Sequence, residues 1–233
     1  MQIFYTPDIK QDFYTFSKEE SQHCIKVLRK KNNDTIHLVD GRGSLYTGNI
    51  TDSNPKACKI EITKIEREYQ KTDHYLHIAV APTKNTDRLE WFLEKATEIG
   101  INEITPIICT RSERKIVKID RLNKILVSAM KQSVKAYLPI LNEPISFNEF
   151  LSLKSDGNKF IANCFDQDRK ELNEFNLKGN KTLVLIGPEG DFTEQENLKA
   201  KEVEFKSIKL GKSRLRTETA ALVACHTINL QNQ

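Results

Sequence analysis

Two rhythms of apolar and polar positions divide the chain. Over residues 1–68, apolar side chains recur at every second position, the mark of half-buried strands. Residues 35–39, 45–51 and 57–65 read as strands, and Asp40-Gly41-Arg42-Gly43 as the turn between the first two. Cys58, Ile60, Ile62 and Ile65 mark the apolar positions of the third. A single helix is predicted over 17–30, opened by Ser17 and Glu20, whose side chains can each satisfy a free N–H at the other's end of the first turn. This is a small β-barrel-like module. A polar stretch, 66–73, has little to bury and sets the boundary between a domain of residues 1–68 and one of 73–233.

Beyond that boundary short apolar runs alternate with stretches of 3.6-residue period. Residues 76–81, 104–109, 160–165, 182–186 and 207–210 read as strands; 87–99, 122–137, 193–202 and 217–230 read as helices. In the first of these helices Leu89, Phe92, Leu93, Ala96 and Ile99 share one face, Asp87 and Glu90 suit its cap, and Gly100 suits its exit. Such alternation predicts the α/β class, a largely parallel sheet covered by helices.

Composition narrows the function classes. With 38% hydrophobic and 29% charged residues, the chain suits a soluble protein. No apolar run approaches the ~20 residues of a membrane span, and residues 1–5 lack the pattern of a signal peptide, so the expected location is the cytoplasm. Five scattered cysteines without a C-x-x-C pair argue against a disulfide framework and against a zinc site; most read as core thiols. The net charge of +4 says less than its distribution. Eight basic residues fall between Arg111 and Lys135, and five, with no acidic residue, between Lys206 and Arg216. These clusters suit phosphate groups, or equally a solvated face.

Candidate chemistry lies at two strand exits. Leu185-Ile186-Gly187-Pro188-Glu189-Gly190 and Ile208-Lys209-Leu210-Gly211 each run from an apolar strand into a glycine turn and then a polar helix start. Open α/β sheets bind ligands at the carboxyl ends of their strands, where glycine allows close backbone approach. Gly211-Lys212-Ser213 lacks the upstream glycine of a phosphate loop, and Gly41-x-Gly43 fits a hairpin better than a dinucleotide fingerprint.

These segments resemble a known signature. Ile186-Gly187-Pro188-Glu189-Gly190-x-Phe192, followed by Leu210-Gly211-x-x-x-Leu215-Arg216-x-Glu218-Thr219-Ala220, is similar to that of RsmE-type RNA methyltransferases of the SPOUT superfamily. Lys95 to Gly100 with Pro106 and Thr110-Arg111-Ser112, Gln132-Ser133 with Pro139, and His23 with Val27-Leu28-Arg29 resemble further family segments, so the likeness spans nearly the whole chain. The chain departs from the pattern at Asp191, where glycine is usual, at Ser213-Arg214, where an arginine has moved by one position, and at Val134-Lys135.

The resemblance implies an N-terminal PUA-like RNA-binding domain and a C-terminal SPOUT domain with a deep trefoil knot and parallel sheet. It implies S-adenosylmethionine as cofactor, held around Leu185, Ile186, Gly187, Pro188, Gly190, Ile208, Leu210, Gly211, Leu215 and Thr219. The implied reaction is methylation of N3 of a uridine in 16S ribosomal RNA, free or in the assembled small subunit, by a homodimer that needs no metal. Arg216 is the candidate for stabilising charge on the uracil oxygens, or else forms an ion pair with Glu218 or Glu189. Glu189 is either the proton acceptor or a brace for its loop. RNA contacts are expected at Arg29, Arg111, Arg114, Lys115, Lys135 and Arg214. Two other readings remain open at this point: an RNA-binding protein that has lost transfer, and a SPOUT enzyme acting on transfer RNA.

Overall fold

The computed structural model describes residues 1–10, 12–166 and 169–233, which form two compact units. The first unit contains Met1–Lys71 and also Met130–Leu138. Its sheet has the strand order β1-β3-β4-β5-β2: β1 Ile3–Tyr5, β2 Phe13–Thr15, β3 Thr35–Val39, β4 Leu45–Asp52 and β5 Lys59–Glu66. Every pairing there is antiparallel except β1 with β3. Phe4, Phe16, Leu38, Ile50 and Ile60 fill its core. Residues 130–138 join this unit because Met130 and Ala136 pack with Ile3, Val39 and Leu45. The sequence boundary at 66–73 gives no hint of that return, since it lies 60 residues downstream.

The predicted helix over 17–30 is shorter and mixed. Ser17 caps α1 (Lys18–Gln22), its Oγ accepting from the Glu20 N–H at 3.2 Å, and a π-turn over His23–Val27 follows. The carboxylate of Glu20 does not close the expected reciprocal cap; it pairs with Lys131 Nζ at 3.0 Å.

The second unit holds the sheet β11-β13-β10-β12-β6-β7-β8, with β9 also on β7, and every pairing among the described residues is parallel. These strands are β6 Tyr75–Val80, β7 Glu103–Ile108, β8 Ile140–Leu141, β9 Ile145–Ser146, β10 Asn158–Ala162, β11 Lys170–Glu171, β12 Lys181–Ile186 and β13 Lys206–Lys209. The central strands are buried on both faces, which is why they read as continuous apolar runs. On one face Ala79, Leu183 and Leu185 pack with Phe147 and Phe150 of α4 (Phe147–Ser152) and Ala200 of α5 (Glu194–Glu202). Two longer helices, α2 (Thr86–Ile99) and α6 (Thr217–Gln231), pack on each other, and α6 packs on β6 and β12.

Asn85, rather than Asp87, caps α2, accepting from the Asp87 N–H at 3.1 Å; Glu90 instead pairs with Arg121. Gly100 ends α2 at φ +134°, and its carbonyl accepts from Asn229 of α6 at 2.7 Å. The helix α3 (Ile119–Gln132) ends five residues short of the expected Tyr137, because Val134 turns the chain at φ +58°.

Candidate cofactor pocket

Three neighbouring strands, β12, β10 and β13, end at the same edge of the sheet, and the loops that leave them enclose a cavity of about 330 Å³. The β12 exit supplies Ile186, Gly187, Pro188, Glu189 and Asp191; the β13 exit supplies Lys209, Leu210, Gly211 and the run 213–216. The β10 exit adds Ala162, Asn163 and Cys164, and the start of α6 adds Thr217 and Ala220. Glycine is needed at the two turns for different reasons. A Cβ on Gly187 would lie 3.0 Å from the buried ring of Phe192. At Gly211 there is open space, but φ is +118°, a conformation that side chains disfavour. The Thr217 hydroxyl donates to the Gly187 carbonyl at 3.0 Å and so ties the start of α6 to the exit of β12.

Of the residues expected around the cofactor, Ile186, Gly187, Pro188, Ile208, Leu210, Gly211 and Leu215 line this cavity. Leu185 lies in the core on the α4 and α5 side. Gly190 packs against the Arg111 side chain, and Thr219 is turned away from the wall that Thr217 and Ala220 form. The sequence reading did not include Asn163, Cys164, Arg169, Ser213, Thr217 or Ala220.

Arg216 stands at the N-cap of α6, exposed, on the cavity wall. Among the described residues its guanidinium has no partner: Glu218 lies 3.8 Å from Arg88, and Glu189 is occupied elsewhere. Glu189 Oε1 accepts from the Lys84 N–H at 2.9 Å, bridging the β12 exit to the loop after β6, while its Oε2 is buried and has no partner. Asp191 takes a left-handed conformation, φ +63°. Its Oδ2 accepts from the Cys164 N–H at 2.9 Å, so the residue that replaces the usual glycine joins two of the three loops. Burial raises the Cys164 thiol pKa, and the Asp191 carboxylate raises it further.

Two of the expected RNA contacts have structural partners here. The Arg111 guanidinium donates to the carbonyls of Gly190 (2.8 Å) and Phe192 (3.4 Å), and Arg114 places both Nε and Nη2 on the Lys84 carbonyl. Lys115 is exposed, and Arg214 lies exposed on the cavity wall. In the first unit Arg29 is exposed at φ +56°, and Lys135 is half-buried.

A parallel α/β sheet with a cavity of this build at its carboxyl edge, in a chain that also holds a small β-rich unit, fits the class of RNA methyltransferases with a PUA domain. The family described as RNA methyltransferase domain matches residues 70–229, and the one described as RNA methyltransferase PUA domain matches 16–63. The chain belongs to the ribosomal RNA small subunit methyltransferase E family. It is 31% identical to the Rickettsia conorii protein of that name over 89% of this chain and 86% of that one. A probable rRNA-methyltransferase from Porphyromonas gingivalis is 37% identical, with a TM-score of 0.93 over 100% of this chain and 98% of that one. A ribosomal RNA small subunit methyltransferase E from Neisseria gonorrhoeae, bound to S-adenosyl methionine, is 29% identical, with a TM-score of 0.86 over 99% and 97%.

Proposed function

We propose that this protein transfers a methyl group from S-adenosylmethionine to N3 of a uridine in 16S ribosomal RNA of the small ribosomal subunit. The observation that carries the reading is the cavity at the β12, β10 and β13 exits with Arg216, which has no partner among the described residues, at its wall. The residues fit the cofactor. Ile186, Pro188, Ile208, Leu210 and Leu215 offer apolar walls for a flat base, and the glycine turns bring backbone within reach. Glu189 and Asp191 put negative charge beside a cationic ligand. When bound, S-adenosylmethionine supplies a methyl group on a positively charged sulfur.

The protein's own residues have two tasks. Neutral uridine carries a proton on N3, so that nitrogen becomes nucleophilic only as the proton passes to water and negative charge spreads to O2 and O4. Arg216 keeps its charge and offers a fork of donors that nothing else engages, so it meets that charge. Glu189 holds its loop through Lys84, and this bracing is its main role. N3 lies on the pairing edge, so the uridine is unpaired or turned out of its stack before transfer.

Further parts of the reading follow the family resemblance. The enzyme acts as a homodimer in the cytoplasm, a state that sedimentation equilibrium measures; a monomer at all concentrations would refute it. The second unit carries a trefoil knot. In support, β13 lies beyond β10, yet α6 packs back on β6 and β12, so the segment 210–216 crosses the exit of β12.

The test is methyl transfer to purified small subunits lacking their own modification, with nucleoside analysis. Label is expected in N3-methyluridine. Arg216→Ala is expected to lower kcat by about 100-fold or more, the scale of losing one charge-stabilising donor, with cofactor affinity and Tm retained. Label in another nucleoside would move the substrate assignment; an unimpaired Arg216→Ala would remove Arg216 from the mechanism.

A further inference from the structure

Beside the cofactor cavity lies a second one of about 160 Å³, and Asn163 belongs to the walls of both. Its lining includes two large apolar side chains, Phe165 and Leu198, that are 55% and 54% exposed. The residues on either side of Phe165, Cys164 and Asp166, are held. The neighbouring Cys164 N–H is held by Asp191, the Asp166 N–H donates to Asn163 Oδ1 at 3.2 Å, and the Asp166 carboxylate pairs with Lys201 across the cavity. The Arg111 guanidinium lies over the Phe165 ring, 5.9 Å from its centroid. A held, exposed aromatic is a poor use of apolar surface unless something covers it.

Asn197 supplies the second observation. It lines the same cavity, is 8% exposed, and donates through Nδ2 to the Thr193 carbonyl at 3.0 Å. Its Oδ1 is buried and has no donor among the described residues. A buried amide oxygen without a donor carries a cost that an incoming N–H removes. A flat ring to stack on, an aliphatic wall and one acceptor are together the recognition set for a nucleobase.

We propose that this cavity holds a base of the RNA substrate that flanks the target uridine, stacked on Phe165, with the Asn197 side chain shifting to present its Oδ1 to an amino N–H of that base. The proposal rests on the RNA methyltransferase reading above. The shared residue Asn163 places the flanking base one side chain away from the cofactor cavity.

Phe165→Ala and Phe165→Trp test it, with small subunits as substrate. Phe165→Ala is expected to raise KM for the subunit by about tenfold, the scale of one lost base–aromatic stack. Cofactor affinity by calorimetry, Tm and kcat are expected to stay near those of the unmodified protein. Phe165→Trp, which keeps a stacking face, is expected to restore KM. An unchanged KM in Phe165→Ala would overturn the proposal and leave the enzyme reading intact. So would a loss of cofactor affinity that Phe165→Trp does not repair, since Phe165 would then serve only the loop. A parent protein that methylates no RNA would sink the enzyme reading and this one together.

Discussion

Cys164 is the exposed thiol among five; Cys24, Cys58, Cys109 and Cys225 are buried, as cysteines in apolar runs are expected to be. Because Cys164 lies on the cavity wall, its alkylation reports on the cavity without any turnover. A maleimide is expected to label Cys164 first, and saturating S-adenosylmethionine to slow that labelling severalfold; equal rates with and without cofactor would place the cofactor elsewhere. Burial and then the Asp191 carboxylate raise the thiol pKa, so less thiolate forms at a given pH. Asp191→Asn removes the charge and is expected to move the rate–pH curve to lower pH. The glycine turns of the site were legible because a turn's backbone need is written in the residue itself. Cys164 and Phe165 were not, because the apolar run 160–165 reads as one strand, whereas β10 stops at Ala162 and the next residues form a loop. The resemblance puts Thr219 at the cofactor, but successive helical residues turn by about 100°, so the face that carries Thr217 and Ala220 leaves Thr219 aside.

At the scale of elements, α5 is more than a cover for the sheet. Thr193 caps it, and Glu196 returns the bond to the Thr193 N–H, completing a reciprocal cap. The same carboxylate accepts from the Thr110 N–H at 2.8 Å and its hydroxyl at 3.0 Å, which fixes the start of the 110–115 loop. Burial alone would raise the Glu196 pKa, but the hydrogen bonds from Thr193 and Thr110 outweigh it and hold it below 4.5. The folded-state pKa is therefore depressed. This stabilisation is fully present above the unfolded value near 4.5 and is lost as pH falls through the lower folded value. Glu196→Ala strands the part-buried N–H groups of Thr193 and Thr110 and is expected to cost about 3 kcal/mol. By differential scanning calorimetry at pH 7 that is a fall in Tm of roughly 10 °C, shrinking when both proteins are compared under acid conditions. A fall of under 1 °C would show that these carboxylate hydrogen bonds contribute little. The main helices and strands were legible from their periods. The two-residue strands β8, β9 and β11 were not, since a period needs more positions than they have. The helix α4 was not, because at six residues it is too short to show its face.

For the whole molecule, charge placement decides how RNA is gripped. Arg111 and Arg114 spend their donors on loop carbonyls, whereas Lys115 next to them is exposed. Lys115→Ala is therefore expected to reduce the slope of log KM for the subunit against log salt by about 1, the release of one counterion. Arg114→Ala is expected to change that slope less and to lower Tm. Equal slopes in Lys115→Ala and the parent protein would place RNA on another face. The order of the chain has a consequence of its own. The three loops that enclose the cofactor cavity and the helix that closes it all follow residue 158, although β6, next to β12 in the sheet, and β7 beyond it come from residues 75–108. During synthesis the early strands emerge first and wait for partners that arrive a chain-length later. A nascent chain thus contains the residues of its PUA domain well before it can hold a methyl donor. Truncation before β13 would leave the cavity without one of its walls, so the site for the methyl donor is complete only when nearly the whole chain has been made.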